Sequence, residues 1–406
     1  LDFRARLRRM WSWRSGSHSI ALISTLRGSG EHMRGVVWQP FVLSLGIPMS
    51  SLGGLESAYD VTRISVQPVF GSLSDAIGRK RFLVLRELLL ISAMALYIVA
   101  NSWIFLIVGV AIVGLSYAVE PVWSTFVAES SPQGGLGMAY GVVNAAFMAA
   151  GVFAPVTAGL LAASFGYTSV YWLVGVLGLL TVAVILVRLP ESNNKEGKGS
   201  ITWHKLAKAF EEVVRPPREM WGFYLSMAVD GIAFGLGSRL LYGMLTRSQG
   251  YTPYMLSLMA TSLTVAWAVV QIPFGRLVDR LGYRRSLAIS QTLSCLYLVG
   301  MLTTQRFEIV LALQALIGIA AALWVPAEQA WIASNVEPKR RGEYLGSYLA
   351  FRGLVAFPAP FVGGVLFDAF GFSAPLTVNL IGAIVDAILI AALVKDKIKS
   401  KISIPS

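Results

Sequence analysis

The stretch "GSLSDAIGRKR" occupies Gly71–Arg81, and a second version, "GRLVDRLGYRR", occupies Gly275–Arg285, 204 residues further on. Each has a small residue, a carboxylate, a glycine and a basic cluster between two long apolar runs. Basic residues at the edge of an apolar run hold that edge on the cytoplasmic side of a membrane. The chain around them fits that setting: 55% of its 406 residues are hydrophobic and only 14% are charged. Soluble proteins carry about 25% charged residues, and one soluble core cannot hide this much apolar surface. The chain therefore reads as a polytopic membrane protein.

The net charge of +12 is a topology signal rather than a nucleic-acid footprint, because Lys and Arg crowd the gaps between apolar runs. Runs of about 20 apolar residues can cross a bilayer as helices. Twelve are expected, over 18–40, 53–74, 83–100, 103–127, 139–163, 169–189, 220–244, 254–275, 285–304, 309–333, 344–367 and 374–394. With both termini in the cytoplasm, the outer segments hold only two basic residues, Arg247 and Arg306. The first span contains Arg27, Glu31, His32 and Arg34, and a start near Val36 is the alternative. Starting it at 18 makes "SLGIPMSSLGG" a loop, in register with "SQGYTPYMLS".

The segmentation has a cytoplasmic flank at 1–17, a six-helix bundle at 18–189, a linker at 190–219, a second bundle at 220–394 and a cytoplasmic tail at 395–406. In the linker, Trp203, Leu206, Phe210 and Val213 share one helical face, which predicts an amphipathic helix on the inner membrane surface. The first residues, "RARLRRMWSWR", read as a basic, aromatic flank rather than a cleavable leader, and the natural start is expected to lie upstream of Leu1. The single cysteine, Cys295, excludes an internal disulfide and a cysteine-based metal site.

The two halves correspond beyond the opening motif. Gln67, Phe70, Gly71 and Asp75 return as Gln271, Phe274, Gly275 and Asp279. Pro121 returns as Pro326, Ala154–Pro155 as Ala359–Pro360, and Phe165–Gly166 as Phe370–Gly371. A duplicated six-helix unit is a mark of secondary transporters. On these residues the chain resembles the major facilitator superfamily over nearly its whole length. The resemblance implies an all-α membrane fold of twelve transmembrane helices in two pseudo-symmetric six-helix bundles. It also implies alternating access around a central cavity lined by spans 1, 2, 4, 7, 10 and 11. In the family the repeated loop is similar to a cytoplasmic latch between halves. The expected gate residues are Gly71, Asp75, Gly78, Arg79, Lys80 and Arg81, with Gly275, Asp279, Gly282, Arg284 and Arg285.

Ionisable side chains inside spans are costly and mark functional sites. The candidates for substrate or proton binding are Arg27, Glu31, His32, Arg34, Asp60, Arg63, Glu120, Asp230, Arg239, Glu328 and Arg352. Arg27–Glu31 and Asp60–Arg63 can also be read as neutralised structural pairs within one helix. Glu120, Asp230 and Glu328 have no basic residue at i±3 or i±4 and are better proton carriers. Span 2 adds Glu56, and span 12 holds Asp386, an exception among outer spans expected to face lipid. Because spans 1 and 2 are richest in charge, binding is expected to lean on the N-terminal half.

The subgroup marks are degenerate. Val110 stands where a drug–proton antiporter carries Arg, and the Gly-Pro motif of span 5 reads Ala154–Pro155. The expected function is proton-coupled efflux of amphipathic or drug-like molecules, with Trp123, Phe126 and Phe147 as apolar contacts. The alternatives are proton-coupled uptake of an organic anion or other small metabolite, and a lipid flippase or non-transporting receptor. No cofactor, metal or nucleic acid is expected, the chain is expected to act as a monomer, and no G-x-x-x-x-G-K-[ST] loop is present for ATP hydrolysis.

Overall fold

The structure is a computed structural model that describes residues 2–131, 136–190, 218–304, 306–336 and 341–396. The described residues are helical throughout, with short turns and no strand. The helices are α1 (Asp2–Ser44), α2 (Met49–Ile77), α3 (Arg79–Ile98), α4 (Trp103–Tyr117), α5 (Glu120–Ser130), α6 (Leu136–Phe165) and α7 (Tyr167–Arg188), then α8 (Trp221–Leu236), α9 (Leu241–Gln249), α10 (Pro253–Leu281), α11 (Tyr283–Thr303), α12 (Phe307–Asn335), α13 (Arg341–Ala356), α14 (Ala359–Phe370) and α15 (Ser373–Leu393). Three spans are built from two helices each: α4 with α5, α8 with α9, and α13 with α14. The fold is thus twelve membrane segments in two repeats. Most of the expected amphipathic linker helix lies outside the described residues.

Among the described residues, eight segments are long and apolar enough to cross a membrane by length and composition alone. The four that are not are α1, α2, α3 and the α8–α9 pair. The first three carry mid-helix charges, and α8 ends after only 16 residues. α1, α2 and α3 thus bring ionisable side chains into the bundle, and the more apolar α5, α12 and α13 add Glu120, Glu328 and Arg352.

The first turn differs from expectation. "SLGIPMSSLGG" is not a loop: the chain reverses over residues 45–48, and α2 is helical from Met49. Gly46 supplies the reversal with φ 78°, a left-handed conformation that a side chain disfavours. The described positive-φ residues are all glycines and form three repeat-related pairs: Gly46 with Gly250, Gly78 with Gly282, and Gly166 with Gly371. Each ends one helix and releases the next.

The chain divides into two compact units. Unit 1 holds residues 1–45, 61–206 and 252–257, and unit 2 holds 46–60, 207–251 and 258–406. In unit 1, Ile20, Ile23, Phe82, Leu83, Val122 and Phe126 form the apolar centre. In unit 2, the ring of Phe223 stacks on Trp331 with centroids 3.9 Å apart, among Tyr224, Tyr348 and Ile390. Also in unit 2, α2 meets α14 backbone to backbone: a Cβ on Gly53 would lie 2.0 Å from the Pro360 carbonyl oxygen. The Asp368 carboxylate accepts hydrogen bonds from the first amides of α2, Met49 (3.1 Å) and Ser50 (2.8 Å), where a negative charge suits a helix N-terminus.

Candidate functional site

Two polar clusters sit inside the helical bundles. The first lies in unit 1. α4 stops at Tyr117 and α5 restarts at Glu120 with Pro121 in its first turn. The proline lacks an amide hydrogen and favours a helix start over a helix interior. This break presents Glu120 toward α1, where Arg27 donates a short hydrogen bond to it. The Arg27 Nε also lies 3.6 Å from Glu87 on α3. Arg86, beside Glu87, binds it directly and reaches Glu31 on α1 at 2.7 Å. Its Nε is 3.7 Å from Glu120. Tyr117 lies under two guanidinium groups, those of Arg34 (5.3 Å) and Arg86 (5.2 Å), and Arg27 lies over Trp123.

The network therefore contains Arg27, Arg34 and Arg86 against Glu31, Glu87 and Glu120. Its charges balance when every member is ionised. Arg86 and Glu87 are each 1% exposed; such a pair is tolerable only because its members satisfy one another. The expected single-helix pairing thus gives way to pairing between helices. Arg27 reaches Glu120 and Glu87, while Glu31 reaches Arg86. Arg86 and Glu87 escape a sequence reading that assigns span 3 to lipid. Their signal is the adjacent "RE" inside an apolar run, itself expensive without partners. His32 stacks its ring on Phe147 at 4.8 Å. Trp123 and Phe126 are core residues, 4% and 2% exposed.

The second cluster lies in unit 2. Arg352 on α13 bridges two carboxylates, Glu328 on α12 at 2.8 Å and Asp230 on α8 at 2.6 Å. Tyr348, one turn before Arg352, donates a short hydrogen bond to Glu328. The Arg352 side chain packs beside Gly231 of α8, where a Cβ would lie 3.4 Å from its Cγ. Here one cation serves two acids. The acid excess means that the cluster carries one negative charge when all three groups are ionised, which a proton or another cation would neutralise.

Further along the same unit, α8 gives way at Gly237 to a 3₁₀ turn, Ser238–Leu240, before α9. Arg239 in that turn donates to Glu56 at 3.0 and 3.1 Å and lies 3.5 Å from Asp60. Arg63 follows Asp60 by one turn of α2.

The loop motifs are tied to the sixth helix of their own repeat. Lys80 donates to the carbonyls of Leu186 and Leu189 at 2.9 and 2.8 Å, where α7 ends. Arg284 does the same for Ala391 near the end of α15, and its amide donates to Asp396 at 2.8 Å. Arg79 pairs with Glu129 at 2.8 Å. Gly78 and Gly282 start the helices that follow, with φ 108° and 85°. Gly71 and Gly275 lie within α2 and α10, with nothing near the position a Cβ would take. Asp279 and Arg285 are exposed, as is Arg81; Asp75 is described at the backbone only.

The comparisons with known proteins agree with this architecture. The family model described as Major Facilitator Superfamily matches residues 20–245 and 231–405. Multidrug resistance protein 2 of Bacillus subtilis (strain 168) is 24% identical over 337 residues, covering 82% of this chain and 84% of that protein. Multidrug resistance protein MdtG of Rahnella sp. (strain Y9602) is 26% identical over 309 residues, 75% of this chain and 74% of its own length. Quinolone resistance protein NorA of Staphylococcus aureus (strain MRSA252) is 23% identical over 336 residues, 81% of this chain and 84% of its own. Among solved structures, a point mutant of nucleoside transporter NupG superposes with a TM-score of 0.80 at 12% identity, over 93% of this chain and all of that one. The D-xylose-proton symporter gives 0.74 at 13%, over 94% and 98%. These likenesses speak for the fold. With a duplicated twelve-segment helical fold, broken helices that carry charged residues, and a family match along nearly its whole length, this chain is a multi-pass membrane protein that belongs to the major facilitator superfamily of transporters.

Proposed function

We propose that the protein exports amphipathic, drug-like molecules in exchange for protons, by alternating access of its two repeats. The observation that carries this reading is the acid excess around Arg352. Asp230 and Glu328 share one guanidinium, whereas the unit 1 network is balanced. Two carboxylates in a low-dielectric site cannot both remain ionised against one cation without a large penalty, so one of them takes up a proton when no other cation is present. A cationic substrate supplies such a cation. Its arrival favours proton release, and a proton's arrival favours substrate release. That competition couples the two flows, and differential binding to inward- and outward-open states gives them direction. Relatives named for multidrug and quinolone resistance support drug-like cargo.

The remaining elements fit the same cycle. The Glu56–Arg239–Asp60 cluster and the Asp368 cap of α2 serve as outer closures. The Gly71–Arg81 and Gly275–Arg285 loops serve as the cytoplasmic gate, with both termini on that side. The transporter works as a monomer. The organic-anion reading needs a cation ready to meet a carboxylate, and Arg27 is already engaged by Glu120 and Glu87.

The test is accumulation of ethidium, an aromatic cation, in cells expressing the protein. Collapse of the proton gradient should raise intracellular dye to the level of cells lacking the transporter. Dye levels that stay low after collapse would exclude proton-driven export. Separately, Asp75→Asn should slow transport with normal membrane insertion, and an unchanged rate would remove Asp75 from the gate.

A further inference from the structure

Asp386 stands apart from both clusters. It lies in the middle of α15, the twelfth segment, and is 0% exposed. One carboxylate oxygen, Oδ1, accepts a short hydrogen bond from the Ser226 hydroxyl on α8. The other, Oδ2, is buried and has no hydrogen-bond partner. No Lys or Arg nitrogen among the described residues lies within 4 Å of either oxygen. An ionised carboxylate in that position would have only the Ser226 hydroxyl against its charge, whereas a neutral carboxyl fits.

The surroundings give this acid an exchange partner. The ionisable groups facing it are Asp230 from α8, Cys295 from α11, Glu328 from α12 and Arg352 from α13. The 3₁₀ turn that also packs against α15 carries Arg239, which is held by Glu56 and Asp60. The only ionisable residue of α14, Asp368, caps α2 instead. Ser226 and Asp230 are four residues apart on α8 and share a face. Ser226 is itself fully buried, while the Asp230 side chain retains 17% exposure. A hydroxyl bonded to the inaccessible acid thus lies one helical turn from the partly accessible one.

We propose that Asp386 is a second proton-binding site, an inner store filled from and emptied to Asp230 through the Ser226 hydroxyl. In filling, the Asp230 carboxyl gives its proton to the Ser226 oxygen as Ser226 gives its own to the Asp386 carboxylate. Asp230 becomes the carboxylate, Asp386 the acid, and Ser226 is unchanged. Ionised Asp230 then pairs fully with Arg352. This assignment rests on the proton-coupled reading above and extends it to a residue on a helix that otherwise lines the outside of the bundle.

The test is infrared difference spectroscopy on the full chain in liposomes. The wild type should give a carbonyl band of a buried protonated carboxyl that weakens as pH rises and on adding ethidium. Asp386→Asn, which keeps the volume and can keep the Ser226 hydrogen bond, should remove it. Asp386→Glu should restore a shifted band, which guards against a misfolded Asn variant. Ser226→Ala should retain the band and slow its exchange with deuterium at least tenfold. A wild-type band insensitive to both pH and ethidium would make Asp386 a fixed structural acid and overturn the proposal, as would a band unaltered in Asp386→Asn. If ethidium export proves independent of the proton gradient while the band still titrates, the efflux reading fails and the Asp386 proton site stands.

Discussion

The two repeats share turns, loop motifs and helix order, yet they handle buried charge in opposite ways. In unit 1, Arg27 and Arg86 pair with Glu31, Glu87 and Glu120 across α1, α3 and α5, and Arg34 beside them bonds Tyr117 on α4, so that three cations accompany three acids. In unit 2, Arg352 alone faces Asp230 and Glu328, with Asp386 behind them on α15. A balanced network is a fixed object: removing a buried member such as Arg86 leaves its acids short of a cation. A cluster with more acids than cations has alternative proton occupancies. The difference points to a division of labour, with rigidity in the first repeat and titration in the second.

The largest effect should come from breaking the balanced side. Arg86→Met leaves Glu31 and Glu87 without their guanidinium and should destabilise the protein by about 3–5 kcal/mol, read as a fall in thermal unfolding temperature and in folded yield. A variant as stable as the wild type would mean that the network is not a structural unit. Pairing it with Glu87→Gln should recover part of the loss, since the variants share one interaction.

Next comes the titrating side. Asp230→Asn should lower proton-driven ethidium efflux about 10- to 100-fold, flatten its pH profile and leave unfolding temperature nearly unchanged, because Arg352 keeps Glu328. Preserved pH dependence would take Asp230 out of the proton path and weaken the contrast between repeats.

A smaller effect is expected where the outer cluster is partly solvated. Arg239 is 30% exposed at its side chain, but Glu56 and Asp60 beside it are buried, so Arg239→Gln should cost about 1–3 kcal/mol, less than Arg86→Met. Its clearer signature would be a changed ratio of inward- to outward-open molecules, measured by accessibility of single engineered cysteines. An unchanged ratio would separate the Glu56–Arg239 contact from gating.

The smallest effects should be equal in the two repeats. Lys80→Ala and Arg284→Ala each remove a cation from the C-terminal end of a sixth helix, worth about 0.3–1 kcal/mol. If one variant is far more damaging than the other, the loop copies have diverged in role as the charge clusters have.

Much of the fold is legible in the sequence because its signals are local. The apolar runs, the Gly71–Arg81 and Gly275–Arg285 copies and the glycine turns need no tertiary knowledge. The turn at 45–48 is harder to delimit, since "MSSLGG" is polar and glycine-rich yet helical, stabilised from outside its own segment by Asp368. The site is legible only as a set of expensive residues. Glu120 and Glu328 stand out in apolar runs, but their partners come from other helices, and sequence spacing carries no information about those. Arg86 and Glu87 escape notice for the same reason that Asp386 looks exceptional: facing lipid is a property of the packed bundle, and a helix named as outer still has an inner face. The expectation that binding leans on the N-terminal half follows from counting charges. Pairing them supports the proposal that places titration in the second repeat, because the charge-rich side neutralises itself.

One consequence of the balanced network concerns membrane voltage. An elementary charge carried across the membrane field changes in energy by about 2.3 kcal/mol per 100 mV. The cluster of Arg27, Arg34 and Arg86 with Glu31, Glu87 and Glu120 has no net charge, so it can tilt with its helices without electrical work. Under the proposed function, voltage then acts on the cargo and on the protons assigned to the second repeat. A current recorded during transport would count those ions, with the charge-dense part of the protein electrically silent.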